Sequence, residues 1–314
     1  MLSRTADNLY WLARYIERAD NSARILDAAN RLTAMPVAYA GSSNEWESAV
    51  SATGKLAEFR TLYPEANAVT VVDYLGFSKA NPSSIRMCLE TARSNARAVR
   101  SALTAVMWEA INGAWLDLRK FDRGKAFDRA GLDAFLSFVK EAALRLDGSA
   151  YRTMLRTDAY WFFKLGVMIE RADSTARILD VKYHVLLPEN AQVGGSLDYF
   201  QWSSILRTVS AVTAYHWVYR ESLKPWLVAD LLMLNAQMPR SLASCYDSIV
   251  ETLDLIARAY GRQGPAQRLA RSIRTGLANV DITQIFQRGL HESLIDFIDQ
   301  NGRLGAAVAE QYLS

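Results

Sequence analysis

The chain has 314 residues, 50% of them hydrophobic, with 36 Lys and Arg against 33 Asp and Glu and a formal net charge of +3. So small a basic excess, with acids interleaved among bases, excludes the clustered positive face of a nucleic-acid binder, and no apolar run reaches the roughly 18 residues of a membrane span. The length can bury a large core, as one duplicated domain or two closely packed ones.

Apolar residues at Leu9, Leu12, Ile16, Ala19, Ala23 and Leu26, spaced three and four apart, predict a long amphipathic helix over residues 5–32. It should end before Met35-Pro36, because the residue ahead of a proline avoids the helical region. After a small-residue loop over 40–44, helices are expected from Trp46, from Pro64 to about Phe77, from Asn81-Pro82-Ser83 through Trp108, and over Leu132–Leu146 ahead of Asp147-Gly148. Both prolines would sit in first turns, where a missing N–H costs nothing. The second half reads as helices over 156–186, 200–223, 226–236, 240–260, 266–278 and 284–312, with a loop at 188–196 holding Gly194-Gly195 and a turn from Gly261 to Pro265. The β-branched patches Val69–Val72 and Ala211–Ala214 are short and lie in helical-period context, and no alternating strand pattern bounded by turns occurs. The expected class is all-α.

The halves are related. Ile16–Asp27 returns as Ile169–Asp180 with ten of twelve positions identical, the exceptions being Asn21 to Ser174 and Ser22 to Thr175. Fainter matches follow at a slightly larger offset: Asp73 with Asp230, Leu75 with Leu232, Pro82 with Pro239, Ser84 with Ser241, and Cys88 with Cys245. The period is far longer than that of a solenoid repeat. The chain is therefore expected to be an internally duplicated helical bundle, with units over 1–150 and 151–314 related by a pseudo-twofold axis and packed as one body.

On a helix, Glu17, Asp20, Asn21 and Arg24 fall within about 100° of one another, opposite the apolar residues, with Arg18 at the flank. The second copy does the same with Glu170, Asp173, Ser174 and Arg177, flanked by Arg171. Three readings stand: a solvated salt-bridged face, a buried charge network across the pseudo-twofold axis, or a site for a ligand or partner. Retention of Arg, not merely positive charge, points to a planar fork that binds carboxylate or phosphate. Ala19, Ala23, Ala172 and Ala176 would let the two helices approach closely. In the catalytic version, Glu17 and Glu170 act as general bases with raised pKa, and the arginines clamp an anion.

Other chemistry is poorly represented. His184, His216 and His291 lie only in the second half and none has the Glu-x-x-His spacing of a di-metal bundle, so no metal site is expected. There is no phosphate-binding loop, dinucleotide fingerprint, nucleophile elbow or paired Cys-x-x-Cys. Trp108 reads as core and Glu109 as a weak candidate acid. Two cysteines are no disulfide framework and read as buried thiols in a reducing compartment, a Cys88–Cys245 disulfide being the alternative. With no signal-peptide pattern at the start, a cytoplasmic location is expected.

Met1 through Arg24, together with Asn81–Arg86 and Met107-Trp108-Glu109, resembles the bacterial alpha-E family, an all-helical domain with a Glu-Arg motif, and the resemblance spans essentially the whole chain. Glu17-Arg18 and Glu170-Arg171 carry that motif here, while Met238 stands where the second copy would match Asn81. Such proteins are typically encoded beside, or fused to, an ATP-grasp-type ligase similar to carboxylate–amine ligases, often with a transglutaminase-like protein nearby. The resemblance thus implies a role in ATP-dependent amide-bond formation or peptide modification. ATP and magnesium are implied for the partner ligase and no cofactor for this chain.

Overall fold

The repeated strip lies on two long helices, α1 (Ser3–Thr33) and α8 (Asp158–His184), which form the most extensive helix pairing among the described residues. The computed structural model describes residues 1–33, 44–121, 123–184 and 196–313, with the side chains of all but 181–184 and 196–198. Contacts between α1 and α8 rise together in number, Tyr10 against Gly166 and Glu17 against Arg171, so the helices run in the same sense. A Cβ built on Gly166 would lie 2.3 Å from the Tyr10 carbonyl oxygen and 3.1 Å from the Ala13 Cβ. At this point the backbones are too close for any side chain at position 166, ahead of the alanines singled out from the sequence. Ala19, Ala23, Ala172 and Ala176 are nonetheless at most 1% exposed, as close packing requires.

The remaining first-half helices are α2 (Glu45–Ala52), α3 (Leu56–Leu62), α4 (Ala68–Val72), α5 (Ile85–Ala98), α6 (Ala105–Leu118) and α7 (Arg129–Thr153). The second half adds α9 (Ser196–Thr208), α10 (Val212–Tyr219), α11 (Pro225–Met233), α12 (Leu242–Tyr260), α13 (Pro265–Asn279), α14 (Ile282–Arg288) and α15 (Leu290–Val308). No strand occurs among the described residues, and the fold is all-helical. α1 packs on α5 and α7, while α8 packs on α12 and α15. One continuous cluster of buried apolar side chains runs from Ala6 to Leu313 and draws on both halves.

Several helix ends differ from the sequence expectation, and local capping is the reason. Pro64 does not open a helix: Asn67 accepts from the Thr70 N–H at 3.0 Å and starts α4, which widens into a π-turn over Asp73–Phe77. The helix expected from Asn81 through Trp108 begins at Ile85 behind the Ser84 cap and stops at Ala98. Thr104 then caps a separate α6, which carries Trp108. Asp147-Gly148 does not end a helix either, since α7 runs on to Thr153. The expected 200–223 helix breaks at Ser210 (φ 59°), and the expected 284–312 helix breaks at Gly289 (φ 107°). Left-handed backbone interrupts the i to i+4 ladder at both breaks. The stop at Met35-Pro36, most of the 40–44 loop and the Gly194-Gly195 loop lie outside the described residues.

Candidate functional site

α1 is buried on both of its faces. Glu17, Asp20, Asn21 and Arg24 are all under 9% exposed, although they lie opposite the apolar stripe. A charged face is ordinarily the solvated one, so the solvated reading fails for the first strip. On α8, Glu170 and Ser174 are buried as deeply, whereas Asp173 and Arg177 keep partial exposure.

The strips exchange ion pairs. Arg18 Nε donates to Glu170 Oε1 at 2.6 Å and its Nη2 to Oε2 at 3.0 Å, while Arg14 Nε donates to Oε2 at 2.7 Å. In return, Arg171 of the second strip donates to Glu17 Oε1 and reaches Asp147 Oδ2 at 3.4 Å. Each glutamate is thus held by the arginine of the opposite copy. Arg240, from the segment before α12, donates to Asp20 Oδ2 at 2.8 Å and lies 3.8 Å from Glu17 Oε2. Asp20 also accepts from Arg24 Nε at 2.7 Å, and Arg24 Nη1 donates to the Thr208 carbonyl at 2.7 Å. The matching Asp173–Arg177 pair closes at 2.6 Å.

Electrostatics follow the geometry. Burial opposes ionisation of Glu170, but Arg14 and Arg18 outweigh it and bring its pKa down to about 2. The direction is opposite to that needed by a buried Glu acting as general base near neutral pH. Glu170 is a permanent anion that anchors two cations. Arg14, Arg18 and Arg171 are shifted upward despite burial, because their carboxylate partners hold the charge in place. Cys88 lies by the Arg18–Glu170 set and Cys245 by the Arg171–Glu17 set. Both are free and fully buried, and burial pushes each thiol up to about 12. The alternative of a disulfide between them does not hold.

The first of these two sets opens into a cleft of about 420 Å³ between α1, α8 and α15, walled also by Thr53, Lys55 and the Asn81–Ser83 turn. Arg14, Arg18, Lys55 and Arg177 outnumber the two carboxylates that line it, Glu170 and Asp173. Gly54, at φ 71°, brings the chain against Arg177, with its Cβ direction 3.1 Å from the guanidinium. A size within the roughly 300–1,000 Å³ of small-molecule sites and an excess of fixed cations suit an oxyanion-bearing ligand. Among the described residues no group of three or more His, Cys, Asp or Glu could hold a metal ion.

Arg14 and Arg240 escaped the sequence reading, being outside the repeated strip, although both grip its acids. A second feature was missed in part. The Tyr63 hydroxyl donates to Asp73 Oδ2 at 2.6 Å, and the Tyr219 hydroxyl donates to Asp230 in the same manner, the two acids being among the faint repeat matches. Burial, then the adjacent carboxylate, pushes Tyr63 up to about 12 and Tyr219 upward as well. Of the other candidates, Glu109 is exposed on α6, apart from the cleft, and Trp108 is half-buried under the Arg100 guanidinium at 4.6 Å. His291 Nδ1 lies 2.6 Å from Asp180, while the His184 side chain is outside the described residues.

Comparison with curated proteins and with solved structures found no match. A family model for Alpha-E, an alpha-helical domain with a conserved ER motif, matches residues 1–313. With its whole length covered, and with the Glu-Arg pairs at the centre of its packing, the chain belongs to the Alpha-E family.

Proposed function

We propose that this chain is the helical partner subunit of an ATP-grasp-type carboxylate–amine or peptide ligase, and that its open cleft presents a carboxylate-bearing substrate to that enzyme. The observation that carries the reading is the cleft itself, where Arg14, Arg18, Lys55 and Arg177 exceed the local acids around a volume of about 420 Å³. The sequence has no phosphate-binding loop, so ATP and magnesium belong to the ligase in this scheme. A transglutaminase-like protein is a further expected partner, and the cytoplasm the expected compartment. The Glu-Arg pairs serve as scaffold and anion clamp, with Glu170 as an anchoring carboxylate and not a proton shuttle, and Glu17 as the carboxylate that Arg171 grips.

The same reading treats the chain as two copies of one unit, over 1–150 and 151–314, facing each other through α1 and α8. Its support is recurrence: the exchanged Glu–Arg pairs, the two buried cysteines beside them, and the Tyr63–Asp73 and Tyr219–Asp230 bonds. The Ser84 hydroxyl also donates to the Ser78 carbonyl at 2.8 Å, as Ser241 does to Asn235 at 2.6 Å. The test is functional. Amide formation by an ATP-grasp ligase of the proposed partner type should fall to background when the chain is omitted, and the two should co-purify. A ligase that reaches full rate alone ends this proposal.

A further inference from the structure

The two Glu-Arg sets are not equivalent, and the difference lies in single residues. Aligning the copies through Pro82 and Pro239 sets Ser83 opposite Arg240, and aligning the repeated strip sets Arg14 opposite Val167. In the second set, Arg240 reaches across to Asp20 at 2.8 Å and to Glu17 at 3.8 Å, and the Thr175 hydroxyl pins its backbone carbonyl at 2.8 Å. In the first set, Ser83 is too short to do the same for Asp173, and the space is the cleft wall. Exposure of the two aspartate–arginine pairs records the outcome. The Asp20 and Arg24 side chains are 3% and 8% exposed, whereas Asp173 and Arg177 are 21% and 27% exposed.

The cations of the open cleft each have a partner: Arg14 and Arg18 hold Glu170, Arg177 holds Asp173 at 2.6 Å, and Lys55 reaches Glu58 at 2.8 Å. Only two of those carboxylates, Glu170 and Asp173, line the cleft, against four cations. Arg177 and Lys55 are the more exposed of the four, at 27% and 40%, and so the ones an incoming oxyanion can share.

We propose that the two sets have diverged into one receptor and one plug: the Glu170 cleft binds a carboxylate-bearing ligand of amino-acid to short-peptide size, while Arg240 fills the equivalent space at Glu17 with a built-in guanidinium. The inference rests on the cleft being a ligand site and on the duplication, and it stands apart from the identity of the ligase. One chain then binds one ligand. Arg177 and Lys55 take the carboxylate.

The test is calorimetric titration of the full chain with the acidic dipeptide glutamylglutamate, with inorganic phosphate at matched ionic strength as the second arm. The wild type should bind one equivalent of dipeptide, and phosphate should bind at least tenfold more weakly because it fills only a small part of a cleft of about 420 Å³. Ser83→Arg should weaken dipeptide binding at least tenfold by supplying the missing plug, and Lys55→Met should weaken it likewise by removing an exposed cation of the cleft wall. Should Ser83→Arg fail to fold, Lys55→Met at an exposed position decides alone. Dipeptide binding that ignores Ser83→Arg, no saturable binding by the wild type, or equal affinity for phosphate overturns the assignment. A chain that binds the dipeptide as described but leaves the ligase rate unchanged defeats the ligase partnership only.

Discussion

Replacing Glu170 by Gln removes the anion that Arg14 and Arg18 share while preserving shape. Two guanidinium groups are then stranded between α1 and α8, and the new amide N–H₂ faces donors. Breaking a buried pair from one side costs about 3–5 kcal/mol. The Arg14 and Arg18 side chains retain 16% and 25% exposure, so water relieves part of the penalty and the lower end, about 3 kcal/mol, is expected. A similar figure follows from the depression of the Glu170 pKa from 4.5 to about 2, worth ~3 kcal/mol by linkage. At a urea dependence of roughly 3 kcal/mol per molar for a chain of this size, the unfolding midpoint at neutral pH should drop by about 1 M. The sign with pH is fixed by a depressed carboxylate: its contribution is complete above the unfolded value of 4.5 and is lost as pH falls toward 2. The gap between wild type and Glu170→Gln should therefore be constant from neutrality down to about pH 5 and shrink below it. A variant with the wild-type midpoint at pH 7, or a gap that stays the same down to pH 2.5, refutes the reasoning.

Three further outcomes are expected. Arg24→Met should cost about 2–3 kcal/mol by urea unfolding, because the buried Asp20 keeps only Arg240 and the Thr208 carbonyl loses its charged donor, whereas Arg177→Met on the half-open pair should cost under about 1 kcal/mol; equal losses would contradict the asymmetry of the two strips. Gly166→Ala should lower stability by about 1–3 kcal/mol despite the better helix propensity of alanine, because the new methyl meets the Tyr10 carbonyl; unchanged melting would mean that α1 and α8 part freely. Cys88 and Cys245 should resist a thiol reagent at pH 8 in the folded chain and react fully in denaturant, which mass spectrometry would count; rapid labelling of either in the native protein contradicts its burial.

Much of the fold was legible because three-and-four spacing is a direct imprint of a helix with a buried side. Helix ends were less so. Asn67, Thr104 and Asp281 each start a helix by bonding a nearby backbone N–H, and such local competitors are decided by packing that a propensity argument does not contain. The importance of Glu17, Glu170 and the paired arginines could be read from their unchanged identity in two copies. Burial of Asp20 and Arg24 could not, since a charge stripe on a lone helix looks the same whether water or another helix faces it. Arg14 and Arg240 were hidden for a different reason: their counterparts are Val167 and Ser83, so a search for sameness passes over them. Comparing the copies for their differences would have found both. Tyr63 and Tyr219 escaped because their offset is one residue short of that of Asp73 and Asp230.

The exchange of partners between α1 and α8 also sets a timetable. Arg18 meets Glu170, and Glu17 meets Arg171, across more than 150 residues of chain. At a synthesis rate of roughly 5–20 residues per second, α1 waits about 8–30 s on the ribosome before its ionic partners emerge. During that interval its charged face is hydrated and its apolar face has only first-half elements, α2, α5, α7 and the Asp73–Phe77 turn, to lean on. Closing so long a loop adds little in equilibrium entropy but delays the final docking step. The ion pairs between the two strips are therefore formed late, and an arrest of synthesis between them leaves a nascent chain whose Glu17 and Arg18 lack the charges they meet in the folded molecule.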